Sequence, residues 1–125
     1  KVARFTERDV ERLLGDAGII RHRGKIEATI NNAKQVQALI DEFGSLASYF
    51  WQYEVQPDCT ISPQSQSTST ESIALSKDLK KRGWKFVGAT TMYALMQAMG
   101  LVNDHVEGCH SRAKVAEARR TFVKP

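Results

Sequence analysis

The sequence lacks a long apolar run, a secretory signal pattern and a cysteine framework. None of its apolar stretches approaches the roughly 20 residues that a membrane-spanning helix needs, and no signal-peptide pattern is visible. The two cysteines, Cys59 and Cys109, are too few and too far apart for a disulfide-rich domain. We therefore expect a protein of the reducing cytoplasm with no membrane partner.

Strand patterns and internal repeats are missing as well. No segment alternates apolar and polar residues over the length of a strand, whereas apolar residues recur at helical spacing in several segments. The sequence therefore predicts an all-α fold, and its 125 residues suffice for one domain with a modest core. The net charge of +4 suits a polyanionic partner but does not prove one.

Apolar spacing, capping residues and glycine breaks predict where the helices lie. Thr6 is a candidate N-cap and Asp9 completes an acidic capping box. The predicted helices cover residues 7–14, 22 or 23 to 43, 45–53, 72–82 and 89–99. A polar stretch from Gln56 to Thr70 is predicted to be a loop. The basic tail is either helical over 113–120 or frayed.

The turn from Gly83 to Gly88 indicates an anion site. Gly83 is expected at positive φ, where it ends one helix, and Gly88 precedes the next helix and lets a ligand approach the backbone closely. The first amides of that next helix have no intrahelical partner and favour an anion together with the helix dipole. Positive charge around this corner comes from Lys80, Lys81, Arg82 and Lys85. The alternative is a solvated basic helix end that binds nothing.

Two long segments, GDAGIIRHRGKIEATINNAK and LSKDLKKRGWKFVGATTMYALMQAMGLVNDHVEGC, resemble the DNA-3-methyladenine glycosylase I family. These are bacterial repair enzymes of the helix-hairpin-helix glycosylase superfamily, and the resemblance runs from about Lys1 to Cys109. It implies a helix-hairpin-helix glycosylase-like helical bundle over residues 1–110, with the hairpin at 77–99, and a basic tail over 111–125. It also implies an enzyme that flips 3-methyladenine out of damaged double-stranded DNA and hydrolyses its N-glycosidic bond, acting as a monomer when intact.

The resemblance assigns DNA contacts to two parts of the chain. Those in the hairpin are Lys80, Lys81, Arg82, Gly83, Lys85, Gly88 and Thr90. Those at the earlier helix junction are Arg21, Arg23 and Lys25, for which solvent exposure is an equal alternative. The chain departs from many relatives at Phe86, where they carry a second hairpin glycine. It also has Thr90 where lyase relatives carry a lysine nucleophile, so we expect no lyase activity.

The family also carries an N-terminal segment that these 125 residues do not contain. In the family that segment supplies a glutamate and aromatic residues of the base pocket, so the catalytic residue cannot be assigned here. The first residue is Lys1 rather than methionine, and we expect a fragment of the enzyme. The alternative function is a non-catalytic helix-hairpin-helix DNA-binding module or an inactive fragment.

His105 and Cys109 form a His-x-x-x-Cys pair that can hold one zinc ion. The resemblance implies a structural zinc for which this chain supplies two of four ligands. In the family, a cysteine and a histidine of the N-terminal segment complete this site. Within these 125 residues His110 and Cys59 are the only other candidates, no spacing supports them, and we expect an empty or partly filled site. Asp104 lies near the position where other superfamily members keep a catalytic aspartate, but a helix-end cap or a contact to His105 is the favoured interpretation.

Overall fold

The computed structural model describes residues 1–56 and 66–125, and this part of the chain contains helices and no strand. The predicted all-α class is therefore confirmed. Most of the predicted loop, together with Cys59, lies outside the described residues. The 3₁₀ turns cover Val2–Arg4 and Trp51–Tyr53, and the helices are α1 (Glu7–Leu14), α2 (Arg23–Phe43), α3 (Leu46–Phe50), α4 (Thr70–Lys81), α5 (Ala89–Met99) and α6 (His110–Thr121).

Local capping explains where these helices begin. Thr6 and Asp9 form the predicted capping box of α1, and α1, α2 and α5 have the predicted bounds. The prediction for α4 was wrong by two residues, because Ser69 caps this helix and not a later residue. The Ser69 hydroxyl accepts the Ser72 amide hydrogen at 3.1 Å, and the Ser72 hydroxyl accepts that of Ser69 at 2.8 Å. Serine here replaces the usual glutamate or glutamine of such a box.

The core is divided into two apolar clusters that α2 connects. The smaller cluster joins α1 to the first half of α2 through Val10, Ile26 and Ile30. The larger cluster lies between α4, α5 and the second half of α2, and its fully buried members include Leu39, Leu75, Leu79 and Met96. Among the described residues, no helix is both long and apolar enough to cross a membrane.

None of the residues of α6 is buried. Polar and aromatic contacts attach this helix and the residues after it to residues 51–55. The Arg119 guanidinium donates to Glu54 at 3.1 Å and to the carbonyl of Val55 at 2.5 Å. The Phe122 ring stacks on Trp51 with 4.7 Å between centroids. The tail is thus helical, as one of the two alternatives predicted, and the helix begins three residues earlier than expected.

Replacing a core leucine of α4 tests which face of this helix stabilises the fold. Leu75 is fully buried, whereas Ile73 on the same helix is 41% exposed. We expect Leu75→Ala to lower the free energy of unfolding by about 3 kcal/mol, because it leaves a cavity. Ile73→Ala, the control, should lower it by less than about 1 kcal/mol. Urea unfolding measures both, and equal losses would contradict the assigned core.

Candidate nucleic-acid interface

In the hairpin between α4 and α5, Gly83 has the positive φ that the sequence predicts. Gly83 follows Arg82, the C-cap of α4, and has a φ of +83°. Its amide hydrogen bonds to the carbonyl of Lys80 and that of Trp84 bonds to the carbonyl of Leu79, both at 3.0 Å. These bonds close the end of α4 and turn the chain towards α5.

Helix α2 holds the hairpin through two adjacent asparagines. The Asn31 side chain donates to the carbonyl of Gly83 at 2.8 Å. The Asn32 side chain donates to the carbonyl of Lys85 at 2.8 Å and accepts its amide hydrogen at 2.9 Å. On the other side, the Ser76 hydroxyl donates to the carbonyl of Val87 at 2.7 Å. Sequence reasoning missed these residues. Two neighbouring asparagines inside a predicted helix could have indicated a hydrogen-bonding role, because asparagine is a weak helix former.

Helix α5 begins without a side-chain cap, at Gly88. Within the part of the chain that the structure describes, the amides of Ala89, Thr90 and Thr91 have no acceptor. A Cβ atom added to Gly88 would meet no protein atom within 4 Å, so the space outside this corner is open. Free amides at the positive end of a helix, facing open space, can bind an anion such as a phosphate.

Unpaired cations surround this corner. Five of the predicted contact residues are exposed and form no ion pair with any carboxylate in residues 1–56 and 66–125; they are Arg21, Lys25, Lys80, Lys81 and Lys85. The start of α2 lies against the hairpin, because the rings of His22 and Phe86 are 6.1 Å apart. The helix junction and the hairpin therefore contribute cations to one region, although DNA contact by each stays a prediction.

Arg23 has carboxylate partners and differs from its neighbours. It donates to Glu7 at 2.5 Å and to Glu11, and lies 3.5 Å from Glu27. The hydrogen bond from Arg23 to Glu7, then that to Glu11, raises the pKa of the guanidinium above its ordinary value. Arg23 therefore links α1 to α2, and its predicted contact with phosphate would have to compete with these carboxylates.

Arg82 also has carboxylate partners within the fold. Its guanidinium contacts Glu42 through two bonds of 2.6 and 3.1 Å and Asp78 at 2.6 Å. It also lies over the rings of Phe43 and Tyr49, at 5.2 and 5.6 Å from their centroids. Arg82 thus joins α2, α3 and α4 at the base of the hairpin. This arrangement gives it a positioning role, and direct phosphate contact stays a prediction.

The His105 and Cys109 side chains lie side by side, with 3.8 Å between Nδ1 and Sγ. This separation fits two corners of a tetrahedral zinc site. Among the residues described, however, no three histidine, cysteine or acidic side chains cluster closely enough to hold a metal. His110 is exposed at the start of α6, and its ring nitrogen lies 3.2 Å from the Ser111 hydroxyl.

Asp104 is buried and contacts α5, and among the described residues no side-chain hydrogen bond or ion pair joins it to His105. It accepts hydrogen bonds from the Tyr93 hydroxyl at 2.9 Å and from the Gln97 amide at 2.7 Å. Burial and this carboxylate raise the pKa of Tyr93 to about 12. Of the two alternatives predicted for Asp104, a helix-end cap or a contact to His105, the contact to His105 is not formed. The observed bonds attach the loop after α5 to that helix.

The family model described as methyladenine glycosylase matches residues 1–113, which is most of the chain. The chain belongs to the methyladenine glycosylase family. It is 52% identical over 114 residues to DNA-3-methyladenine glycosylase 1 of Escherichia coli strain K12, covering 87% of this chain and 60% of that protein. It is 41% identical over 113 residues to the DNA-3-methyladenine glycosylase of Haemophilus influenzae, covering 87% and 61%.

Solved structures of methyladenine glycosylases share this fold. A crystal structure of 3-methyladenine DNA glycosylase I superposes with a TM-score of 0.77 at 47% identity, covering 87% of this chain and 62% of that one. The Staphylococcus aureus enzyme superposes with a TM-score of 0.81 at 32% identity, covering 90% and 62%. The family and the helical glycosylase fold predicted from the sequence are thus confirmed. The chain spans about three fifths of the length of these relatives.

The ion pair at the base of the hairpin predicts a pH dependence of stability. Burial raises the pKa of Asp78, but hydrogen bonds from Arg82 and Tyr49 outweigh it and hold the pKa below its ordinary value. A depressed folded-state pKa stabilises the fold above the unfolded value and loses this contribution as the pH falls through the folded value. We expect Asp78→Asn to cost about 1 kcal/mol at neutral pH.

The difference between this variant and the parent should shrink as the pH falls from roughly 5 to 2, because the parent then loses its own charge. Chemical denaturation across this range measures it. Asp41→Asn is the control, since Asp41 is exposed and forms no ion pair with the described residues. A penalty for Asp78→Asn that stays constant with pH would show that the ion pair does not stabilise the fold.

Proposed function

We propose that this chain carries the DNA-anchoring part of a repair glycosylase that flips 3-methyladenine out of double-stranded DNA and hydrolyses its N-glycosidic bond. One observation carries the proposal: the uncapped start of α5 opens at Gly88 beside unpaired lysines. Membership of the methyladenine glycosylase family supplies the reaction. Because the chain spans only part of its relatives, both activity and substrate remain proposals.

The hairpin suits a task that requires no base sequence. Backbone amides and lysines bind phosphate oxygens, which are the same for every nucleotide and position a protein on the duplex without reading it. A repair enzyme must act wherever a lesion occurs, so sequence-independent anchoring is appropriate. The same anchoring holds the duplex while the damaged base leaves the stack.

The chemistry we propose is hydrolysis without a covalent DNA intermediate. 3-Methyladenine is cationic in DNA, so its leaving group is already activated and water can displace it from the sugar. Thr90 lies in the first turn of α5, at the position where lyase relatives carry lysine, and it offers no amine for a Schiff base. We therefore expect the product strand to keep an intact abasic site.

We also propose a structural zinc at His105 and Cys109. Their separation of 3.8 Å supports it, and a zinc at this point would tie the loop after α5 to whichever residues supply the other two ligands. Zinc in a closed four-ligand site stabilises a fold and takes no part in bond cleavage. To bind zinc, the Cys109 thiol would have to lose its proton, and the ligating ring nitrogen of His105 would have to be unprotonated.

One observation favours the second candidate, a DNA-binding module without catalysis. A cavity of about 840 Å³ lies under α6 and has Glu54 as the acidic residue in its lining. Burial raises the pKa of Glu54, but hydrogen bonds from Lys124 and Arg119 outweigh it and hold the pKa below its ordinary range. A carboxylate ionised in this way is a poor general acid. This cavity therefore does not supply the acid of a base pocket.

Release of 3-methyladenine from a methylated duplex tests the proposed reaction. The free base is separated by chromatography after incubation with the full chain, and strand breakage is scored with and without alkali. Free base together with strands that break only in alkali supports a hydrolytic glycosylase. Duplex binding without base release supports the DNA-binding module. A borohydride-trapped adduct would contradict the absence of lyase chemistry.

Replacing Lys85 tests the anchor itself. We expect Lys85→Ala to weaken binding to damaged and undamaged duplexes alike, and to reduce the slope of log affinity against log salt by about 1. Fluorescence anisotropy at several salt concentrations measures both quantities. Lys77→Ala, an exposed lysine one turn before the end of α4, is the control. A loss confined to the damaged duplex would assign Lys85 to lesion recognition instead.

Metal content tests the zinc proposal directly. In a protein that contains this chain together with the residues supplying the other two ligands, we expect about one zinc per molecule by mass spectrometry, and loss of the metal in Cys109→Ser. Removal of zinc by a chelator should lower the melting temperature of the parent but not that of Cys109→Ser. A metal-free parent that melts at the same temperature with and without chelator would overturn the proposal.

A further inference from the structure

Phe86 occupies a backbone conformation that its side chain disfavours. It lies in the hairpin at φ +58°, and among the described residues every other positive φ belongs to a glycine. A phenylalanine in the left-handed region is strained, whereas a glycine adopts it freely. The backbone conformation at position 86 therefore favours glycine and does not explain why phenylalanine is present.

Burial does not explain the phenylalanine either. Phe86 is 58% exposed, so its ring contributes only part of the stabilisation that a core aromatic would. A single exposed apolar side chain is common on protein surfaces, so exposure alone does not account for Phe86. Strained residues cluster at binding sites, and Phe86 is both strained and exposed next to the proposed anion-binding corner.

The start of α2 is shaped around this ring. A Cβ atom at Gly24 would lie 3.7 Å from Cζ of Phe86 and 3.1 Å from Cε1 of His22, so a side chain there would crowd the site. The His22 ring meets the Phe86 ring edge to face, and Nδ1 of His22 accepts the amide hydrogen of Lys25 as the cap of α2. The ring is thus supported from one side and open on the other.

The surroundings of Phe86 identify the kind of partner. Lys85 precedes it, and the free amides of α5 follow it by three residues. Ile20, 75% exposed, lies at the junction that leads to His22. Anion-binding groups beside an exposed aromatic ring match a nucleic-acid strand, which presents phosphates next to the apolar faces of sugars and bases.

We propose that Phe86 contacts the DNA directly, with its ring against a sugar or base next to the phosphate held at the start of α5. This inference rests on the proposed anchoring function and adds a non-ionic contact to it. The hairpin would then bind by two separable means, namely amides and lysines for phosphate and the Phe86 ring for the adjacent apolar surface.

Salt dependence separates these two contributions. We expect Phe86→Gly in the full chain to weaken duplex binding about fivefold or more. The slope of log affinity against log salt should stay unchanged, because no cation is lost. The melting temperature should equal or exceed that of the parent, because glycine removes the strain at φ +58°. A merely structural role for the ring would lower the melting temperature instead.

Two further variants test whether a loss of affinity in Phe86→Gly comes from the missing ring or from a more flexible backbone. Phe86→Asn tolerates the left-handed conformation but lacks a ring, and should lose affinity as Phe86→Gly does. Phe86→Tyr keeps the ring and should restore parental affinity. Met99→Ala is the matched control, because Met99 is 59% exposed at the opposite end of α5, and it should bind as the parent does.

The outcomes distinguish this inference from the function on which it depends. If the parent binds duplex DNA and both Phe86→Gly and Phe86→Asn bind equally well, the inference is wrong and the proposed anchor stands. If the parent binds no duplex at low salt, both the anchor and the inference are wrong. Binding of the parent to anionic lipid vesicles but not to duplex would assign the ring to a membrane surface and overturn the inference.

Discussion

The hydrogen bonds between Asn31, Asn32 and the hairpin are the interaction on which the proposed site depends. They fix the carbonyls of Gly83 and Lys85 against α2, a helix that also joins both apolar clusters. The position of the hairpin is therefore set by the core through α2. Arg82 reinforces this arrangement from below by joining α2 to α4 through Glu42 and Asp78.

The local features of this fold could be predicted from the sequence because their causes are local. Apolar spacing and capping give the bounds of α1, α2 and α5, and Gly83 takes the positive φ that ends α4. The serine capping box of α4 was missed because serine is an uncommon partner in that motif. Resemblance between long segments identified the family, which the match over residues 1–113 confirms.

The features that could not be predicted depend on residues far apart in the chain. Asn32 bonds to Lys85 across 53 positions, and Arg82 bonds to Glu42 across 40. Sequence spacing alone treats Arg82 as one more cation of a basic run, and only the folded structure reveals its two carboxylate partners. The His105 and Cys109 pair shows the same limit, since four-residue spacing brings two ligands together but does not identify the others.

The double hydrogen bond from Asn32 has a consequence for the thermodynamics of association. Because this side chain and the Ser76 hydroxyl hold the hairpin backbone in place before any ligand arrives, the amides of α5 need not be ordered during binding. The conformational entropy of the loop is lost on folding and not on complex formation. The corner is therefore preorganised, and a phosphate can dock as a rigid-body encounter without a slow conformational step.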